Sequence, residues 1–512
     1  MEQKIHPVIE NMSAIPADVL NPFVHKIELN TYDKFKVALM TVTIFPIRFL
    51  FAAIFLGTAW ILACVGLNGM SGGDLDGKPI TGWRSDLKKI ICFFMRALFV
   101  AGGFNWITVK GKQASPKEAP VLALAPHSSY FDALPVIFLG APSVVAKGEI
   151  EQTPVLGKLI NYTQPVYVWR EDPNSRQNTI KNIQRRATSE DNWHQVAIFP
   201  EGTCTNRTSL IQFKPGAFYP GVPVQPVCIK YPNRLDTITW TWEGPGPWRS
   251  VWLSLCQFHN FLEIEFLPVH VPSPEEIKDP KLFAENVRQK MADALGLQVA
   301  DYSYDDCRLM SKAAQKNLPY ERGLVEIQKL RSKLGLELRG VEDELSKYAK
   351  IASGADGLVT VEDFAAYLGL PVSGPLKELF FLYDTEGTGK IDFRQYLIGL
   401  SVIAKPANTE ETIQIAFKLF DRHGKGHINK EDLNMLLKHA LNMTTLETDR
   451  LFNQVDVHGK GCITYDEFRS YARKKPEYAK IFTLNRLKWL NNEKRNFVVS
   501  DDGDNNSKLK KE

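Results

Sequence analysis

Residues 121–132 read VLALAPHSSYFD, an apolar run of strand length that leads into a histidine and, five positions later, an aspartate. The pattern predicts a buried strand, a polar turn and then a helix. Similar short runs recur to about residue 271, separated by segments of helix length: PVYVWR, QVAIFPEGT, VPVQPVCIKY and FLEIEFLPVHV. Strands that alternate with helices predict an α/β domain with a mainly parallel sheet, whose sites lie at the strand ends.

Composition and charge limit the classes of protein to which the chain can belong. With 512 residues, of which 44% are hydrophobic and 23% charged, we expect two or three domains. The net charge of +4 is the small difference between 62 basic and 58 acidic residues, so we expect no nucleic-acid partner. Seven cysteines without a CxxC pair favour reduced thiols over a disulfide framework or a zinc site, and hence cytosol-facing domains.

One segment has the composition of a membrane helix. Residues 49–67 read FLFAAIFLGTAWILACVGL, 19 residues without a charge and about enough helix to cross the hydrocarbon core. Residues 90–107 are apolar but contain Arg96 and two glycines, so we interpret them as an interfacial or re-entrant helix, with a buried helix of the next domain as the alternative. Basic residues lie on both sides of the span, which leaves a single span and a monotopic anchor open.

His127 and Asp132 are the strongest candidates for chemistry. If a helix starts near Ser129, a carboxylate in its first turn can hold one imidazole nitrogen and leave the other free as a general base. There is a structural alternative, because Ser129-x-x-Asp132 is also a capping box, in which Asp132 bonds backbone amides and His127 is incidental.

Two further strand ends suggest a site for a phosphate. Residues 199–203 read FPEGT and are followed by Arg207, and the run PVYVWR ends on Arg170. A turn with exposed backbone N–H groups beside an arginine suits a phosphate. Taken singly, either arginine could equally form a surface ion pair. Residues 221–227, GVPVQPV, predict a proline-bounded strand.

Taken in order, these four blocks resemble the glycerophospholipid acyltransferases that act on lysophosphatidic acid and lysophosphatidylcholine. The blocks cover roughly residues 120 to 230. With the apolar N-terminal segment and the C-terminal EF-hand loops described below, the chain is most similar to the lysophosphatidylcholine acyltransferases, in particular their type-two branch. The resemblance implies an enzyme that moves an acyl group from acyl-CoA to a lysophospholipid, with lysophosphatidylcholine as the favoured acceptor.

The resemblance also implies a role for each motif residue. His127 would take the proton from the acceptor hydroxyl, and Asp132 would orient it. The acceptor-binding residues implied in this way are Arg170, Glu201, Gly202, Thr203 and Arg207, while Pro223 and Pro226 would shape the acyl side of the pocket. We expect no Ser, Cys or Thr to be placed for a covalent intermediate, because a thioester has a good leaving group and allows direct attack.

The resemblance leaves the setting and two alternatives open. It implies membrane lipid substrates and a place in the endoplasmic reticulum membrane, with the Golgi and the lipid droplet surface as alternatives. Acylation of lysophosphatidic acid is the alternative within the enzyme class. A membrane-bound EF-hand scaffold with an inactive acyltransferase domain is the alternative outside it. The sequence makes no prediction of the oligomeric state.

Three helix–loop–helix units with eroded calcium ligands follow. Their loops begin at Asp384, Asp421 and Asp456, with glycine at position 6 and isoleucine at position 8 of each loop. Histidine or lysine stands at ligand positions of the second and third loops, and the first ends in Gln395. The loops are therefore predicted to bind calcium weakly or not at all. The pattern favours a helical pair that is kept for packing or partner binding. The candidate ligands are Asp384, Glu386, Thr388, Asp392, Asp421, Asn429, Asp432, Asp456 and Glu467.

These observations predict an α/β acyltransferase domain on an N-terminal hydrophobic anchor, followed by an all-α EF-hand domain. The predicted boundaries are a polar N-terminal segment at 1–37, the anchor and interfacial helix at 38–107, the acyltransferase domain at 108–305, a helical connector at 306–371, the EF-hand-like domain at 372–480 and a polar tail at 481–512.

Overall fold

The apolar run VLALA forms β2 (Val121–Ala125), whose five residues are all buried at the centre of a seven-stranded sheet. The structure is a computed structural model. It describes residues 21–169, 174–334, 338–352, 354–368, 372, 374–381, 383–384, 387–403, 413–414, 417, 421, 425–431, 433–434 and 445–474. The described residues form two compact units, which meet in sequence between Cys307 and Arg308.

The first unit contains the sheet and the helices around it. Its strands are β1 (Trp106–Lys110), β2, β3 (Ser143–Lys147), β4 (Val166–Val168), β5 (Val196–Ile198), β6 (Ser209–Leu210), β7 (Val224–Lys230), β8 (Phe261–Phe266) and β9 (Gln298–Val299). Its α-helices are α1 (Thr31–Thr43), α2 (Phe45–Leu67), α3 (Gly72–Gly77), α4 (Trp83–Ala101), α5 (Ala133–Phe138), α6 (Leu156–Asn161), α7 (Ser175–Ala187), α8 (Pro247–Leu255), α9 (Pro274–Lys278), α10 (Pro280–Leu295) and the start of α11 (Tyr304–Gln315). Short 3₁₀ turns cover Tyr130–Asp132, Gly148–Gln152 and Pro215–Ala217.

The strand order places the His127–Asp132 motif and the FPEGT block at the same edge of the sheet. The order is β1-β8-β7-β2-β5-β3-β4. Strands β7, β2, β5, β3 and β4 run parallel, while β8 and β1 run the opposite way. The carboxyl ends of the five parallel strands therefore lie side by side, where an α/β sheet places its site. The predicted α/β class with a mainly parallel sheet is confirmed.

The apolar helix α2 contacts the α/β unit at both of its ends. It is 23 residues long with a mean hydropathy of 2.3, and among the described residues it is the one helix long and apolar enough to cross a membrane. Near its start, Arg48 donates hydrogen bonds to the carbonyls of Leu255 and Phe258 at 2.8 and 2.9 Å. Near its end, Gly66 packs directly on the ring of Tyr162. The helix thus runs along the unit instead of leaving it at one end.

Helix α4 packs against α2 and has two faces. Its buried face includes Ile91 and Phe99, whereas Phe93 and Val100 are exposed. The helix ends at Gly102, so the paired glycines terminate it before β1 begins at Trp106. Exposed apolar side chains continue on α1, including Phe35 and Val42. The exposed apolar faces of these helices are typical of a membrane interface.

The second unit is helical and built from paired EF-hand loops. Its α-helices are α12 (Ile327–Leu334), α13 (Leu338–Ile351), α14 (Val361–Leu368), α15 (Gly374–Phe381), α16 (Phe393–Ile403), α17 (Thr445–Val455) and α18 (Tyr465–Lys474), with a 3₁₀ turn at Tyr320–Gly323. Its strands are β10 (Val359–Thr360), β11 (Lys390–Ile391), β12 (His427–Asn429) and β13 (Cys462–Thr464). Strand β10 pairs with β11, and β12 pairs with β13, both antiparallel. One hydrophobic core extends from Leu309 to Ile398, across the predicted boundary at 371/372.

Substitution of Gly66 should loosen the anchor from the α/β unit. A Cβ atom at this position would lie 2.4 Å from the hydroxyl oxygen of Tyr162, a buried ring that also bonds the carbonyl of Arg84. We expect Gly66→Ala to destabilise the protein by about 1–3 kcal/mol through overpacking. The matched control is Gly57→Ala in the same helix, where nothing lies within 4 Å of the added atom. Thermal unfolding in detergent compares the two, and equal midpoints would contradict the packing role.

Candidate active site

His127 and Asp132 form a hydrogen-bonded pair at the carboxyl end of β2. The Nδ1 atom of His127 lies 2.8 Å from Oδ2 of Asp132. The same oxygen accepts the backbone N–H groups of Ser128 and Ser129, at 2.8 and 3.1 Å, and the capping box around Ser129 is formed. The two interpretations of the motif are therefore both realised, because one carboxylate caps the turn and orients the imidazole. The His127 side chain is 25% exposed, so it can be approached from outside.

Tyr231 is a partner of this pair that the sequence did not indicate. It follows β7, the sheet neighbour of β2, and its hydroxyl donates a 2.7 Å hydrogen bond to Oδ1 of Asp132. Both carboxylate oxygens are thus satisfied in a buried position, where an unpaired charge would be strongly unfavourable. Tyr231 holds Asp132 and does not face the open side of His127.

The loop after β5 forms two hydrogen bonds with the backbone of His127. Oε2 of Glu201 accepts the His127 N–H at 2.7 Å, and the N–H of Thr205 donates to the His127 carbonyl at 2.8 Å. The ring of Phe199 stacks on the imidazole with centroids 4.3 Å apart. Glu201 is fully buried, and its other oxygen accepts the N–H of Ile211. The structure therefore gives Glu201 a positioning role, with no open surface on which a phosphate could contact it.

Cys204 lies beside the free nitrogen of His127. Its Sγ atom is 3.6 Å from Nε2, the nitrogen that Asp132 leaves available. The sequence did not indicate this thiol beside the histidine, and the expectation that no Ser, Cys or Thr forms a covalent intermediate stays a prediction. The residue directly follows the FPEGT block, but the distance to His127 depends on the adjacency of β2 and β5, which the sequence pattern did not show.

Burial and these neighbours change the pKa values of the site. Burial by itself lowers the pKa of His127, but the Cys204 sulfur and the Asp132 carboxylate raise it by more, to a value well above the ordinary 6.5. Burial raises the pKa of Glu201 to about 8, against the opposing hydrogen bond from the His127 backbone. Perturbed titratable groups that touch one another at a strand edge are typical of functional sites.

Arg207 is bound internally. It has a left-handed backbone with φ of 64°, and its Nη2 atom lies 2.5 Å from Oδ2 of Asp236. Its guanidinium also lies over the ring of Tyr231, 5.3 Å from the centroid. Burial raises the pKa of Asp236, but the Arg207 charge, the hydrogen bonds from Thr239 and the nearby His25 together outweigh it, and the pKa is lowered overall. The arginine therefore supports the side of the site where Tyr231 holds Asp132.

The N-terminal segment before α1 is attached to the same loop. The side-chain amide of Asn206 donates to the carbonyls of Asn21 and Val24 at 2.9 and 3.0 Å. Phe23 between them is fully buried, and its carbonyl accepts the N–H of Glu243. Residues 21–24 thus strap the loop that carries Cys204.

The remaining predicted binding residues divide into those at the site and those away from it. Gly202 and Thr203 lie in the turn after β5, and the side chain of Lys214 runs along Gly202, so that a Cβ there would come within 2.6 Å of its ammonium nitrogen. Pro223 precedes β7 and Pro226 lies inside it. Because β7 is parallel to β2, Pro223 lies at the edge opposite His127, so its predicted place in the acyl pocket is not supported. Arg170 lies outside the described residues.

The EF-hand loops keep their turns. The first aspartate of each loop, Asp384, Asp421 or Asp456, accepts two backbone N–H groups of its own loop. Within the part of the chain that the structure describes, no three His, Cys, Asp or Glu side chains come close enough to hold a metal ion.

The other candidate ligands contact protein groups or lie outside the description. In the first loop, Thr388 donates to a carbonyl at position 7 of the loop and Asp392 exchanges hydrogen bonds with Gln395. Asn429 lies in β12. In the third loop, Glu467 accepts from Thr464. Glu386 and Asp432 lie outside the described residues. Calcium needs several carboxylate and carbonyl oxygens around it, and several of these described side chains are hydrogen-bonded to protein groups instead.

We expect calcium titration of the full chain to show no site in the micromolar range typical of sensor EF-hands. Lys425 and Lys460 place ammonium groups at a ligand position of the second and third loops. The double substitution His458→Asp and Lys460→Asp restores acidic ligands between Asp456 and Glu467 and should create measurable binding in calorimetry. Tight binding by the unchanged chain would contradict this assignment.

Comparison with known proteins agrees with the geometry. Residues 106–230 match the acyltransferase family model, and residues 410–473 match a model of an EF-hand domain pair. The crystal structure of the 1-acyl-sn-glycerophosphate (LPA) acyltransferase PlsC from Thermotoga maritima aligns with 52% of this chain and 99% of its own. Its identity of 18% and TM-score of 0.34 are too low to carry an argument.

Full-length relatives are much closer. Lysophosphatidylcholine acyltransferase 1 of Rattus norvegicus is 48% identical over 90% of this chain and 86% of its own length. Lysophosphatidylcholine acyltransferase 2 of Danio rerio is 48% identical over 94% and 92%, and its Homo sapiens counterpart is 47% identical over 92% and 86%. Relatives of types 1 and 2 are thus about equally similar to this chain. The chain belongs to the lysophosphatidylcholine acyltransferase family.

Proposed function

We propose that this chain transfers the acyl group of acyl-CoA to the free hydroxyl of lysophosphatidylcholine, with His127 as the general base. The observation that carries the proposal is the 2.8 Å contact between His127 Nδ1 and Asp132, which leaves Nε2 as the proton acceptor. The names of the relatives support the acceptor. They favour lysophosphatidylcholine over lysophosphatidic acid, and the intact site argues against an inactive scaffold.

The reaction follows from the free nitrogen. Nε2 of His127 removes the proton of the acceptor hydroxyl as its oxygen attacks the thioester carbonyl. A carbon–oxygen bond forms, the carbon–sulfur bond breaks, and the CoA thiolate leaves with the proton that His127 carries. Asp132 stabilises the imidazolium in between, because its carboxylate faces Nδ1. No covalent intermediate on the protein is needed.

The acceptor phosphate belongs in the turn after β5. Gly202 and Thr203 bring backbone close to the open side, and Lys214 adds a positive charge along the same turn. Arg170 remains the second proposed cation. Glu201 contributes indirectly, since its buried carboxyl fixes the His127 backbone.

The exposed apolar helices support a membrane-bound enzyme. Phe35 on α1, Phe93 on α4 and the outer face of α2 would face lipid. Both ends of α2 contact the α/β unit, which favours an anchor that lies in one leaflet. We propose the endoplasmic reticulum membrane as its site, with the Golgi and the lipid droplet surface as alternatives.

Two substitutions separate direct attack from a covalent route. His127→Ala should lower acyl-CoA-dependent formation of phosphatidylcholine by about 10²- to 10⁴-fold, which is the usual value of general-base catalysis. Cys204→Ala should retain most of the rate, because the thiol is not required for direct attack. The assay uses membranes that express each variant at matched abundance. If Cys204→Ala were as inactive as His127→Ala, an acyl-cysteine intermediate would replace the proposed mechanism.

The pH profile should report the titration of His127. The base acts only when it is neutral, so kcat/KM rises with pH until His127 loses its proton, and its raised pKa places this limb above pH 6.5. Asp132→Asn removes one cause of the raised pKa, so the limb should move to lower pH while the maximal rate falls. Glu201→Gln removes the buried carboxyl whose pKa is raised to about 8 and should leave the limb in place. A limb that followed Glu201→Gln would assign the titration to Glu201.

A further inference from the structure

A cavity of about 230 Å³ lies beside the edge strand β4, between α3 and α7. Tyr167 and Trp169 line it with ring centroids 6.2 Å apart and planes inclined by 54°. Trp169 rests on Gly148, where an added Cβ would lie 2.4 Å from the indole. Any larger residue at position 148 would displace the indole, so Gly148 supports one face of Trp169.

The charge of the lining has one sign. Glu151 and Asp76 are carboxylates that line the cavity, and no lysine or arginine lines it among the described residues. Asp76 is paired with Arg185 and Arg186 outside the cavity. Glu151 has no hydrogen bond or ion pair within the described part of the chain.

Apart from these two carboxylates, the polar side chains of the lining are uncharged. The side-chain oxygen of Asn161 accepts a hydrogen bond from the hydroxyl of Tyr167 at 2.7 Å, which holds the phenol ring in place. The hydroxyl of Ser175 is buried without a hydrogen-bond partner among the residues that the structure describes, and Ser175 lines the same cavity. The lining therefore combines aromatic rings, one free carboxylate and neutral polar groups.

We propose that this cavity binds the quaternary ammonium group of a phosphocholine headgroup. A cation is attracted by the faces of Trp and Tyr rings and by a nearby carboxylate such as Glu151. An anion such as a nucleotide phosphate would be repelled by Glu151, and no described cation in the lining would compensate. The inference rests on the proposed function, because it assigns the acceptor headgroup of that reaction.

The position of the cavity is compatible with the reacting hydroxyl at His127. Trp169 follows β4 and His127 follows β2, so both lie at the carboxyl edge of the sheet. The two strands are three strand spacings apart, about 14 Å at about 4.8 Å per strand. Eight bonds join the free hydroxyl oxygen of lysophosphatidylcholine to its nitrogen, which extended bond geometry makes about 10 Å. The lengths of the side chains at the two strand ends therefore need to cover only the difference between the strand separation and the length of the headgroup.

The test measures KM for lysophosphatidylcholine and for lysophosphatidylglycerol, whose headgroup carries no cation. Trp169→Leu and Glu151→Gln should each raise KM for lysophosphatidylcholine about tenfold, the order expected of one cation–π contact or charge pair, with little change for lysophosphatidylglycerol. Trp169→Phe should fall between the wild type and Trp169→Leu. The matched control is Glu149→Gln, an exposed carboxylate of the same 3₁₀ turn that does not line the cavity.

Calorimetric titration of the full chain in detergent with phosphocholine gives a readout that does not need turnover. Binding that Glu151→Gln abolishes and Glu149→Gln retains, together with the KM shift, assigns the cavity to the acceptor. Such binding without a KM shift assigns it to the headgroup of a bilayer lipid, which keeps the ammonium chemistry. No binding, or an equal KM change for both acceptors, overturns the proposal. If the unchanged protein showed no acyl transfer, the proposed function would be refuted. The titration would still show whether the cavity binds phosphocholine.

Discussion

The carboxylate of Asp132 receives four hydrogen bonds, from the N–H groups of Ser128 and Ser129, the imidazole of His127 and the hydroxyl of Tyr231. A buried carboxylate needs such donors, because removal of its water is otherwise strongly unfavourable. The two amides fix the turn after β2 and the phenol fixes the distance from β7. The orientation of the imidazole follows from both, so the geometry of the base is built into the packing of the sheet.

The sequence predicted the parts of this arrangement that are local. The His-x4-Asp spacing, the apolar strands and the position-6 glycines each depend on residues a few positions apart, which hydrophobic period and turn chemistry reveal. The sequence did not indicate the partners of the His127–Asp132 pair that follow other strands, which are Tyr231, Cys204 and Phe199. Their contacts depend on the strand order, which brings β5 and β7 to the two sides of β2. Without that order, an aromatic residue or a cysteine that follows a strand cannot be recognised as a contact of the histidine.

The same lack of long-range information led to residues being predicted as substrate ligands that instead contact the protein. Glu201 and Arg207 look like ligands for a substrate because they are charged and stand at a strand end. In the structure their charges are used internally, by the backbone of His127 and by Asp236. In the EF-hand unit, the sequence pattern did not show that the segment around Asp356 pairs with the first loop, through strands β10 and β11. Lys390 of that loop forms an ion pair with Asp356 at 2.8 Å, so a lysine supplies the positive charge between the two loops.

The strap formed by residues 21–24 has a consequence for mapping the protein in a membrane. Asn206-Arg207-Thr208 is a sequon for N-linked glycosylation, and such sites are commonly used to report which side of a membrane a segment occupies. Here both N–H bonds of the Asn206 amide are directed at the carbonyls of Asn21 and Val24. An oligosaccharyltransferase needs that nitrogen free and the segment extended. A glycan on Asn206 would remove at least one of these hydrogen bonds and disturb the strap, so a glycan reporter of topology is better placed in a different loop.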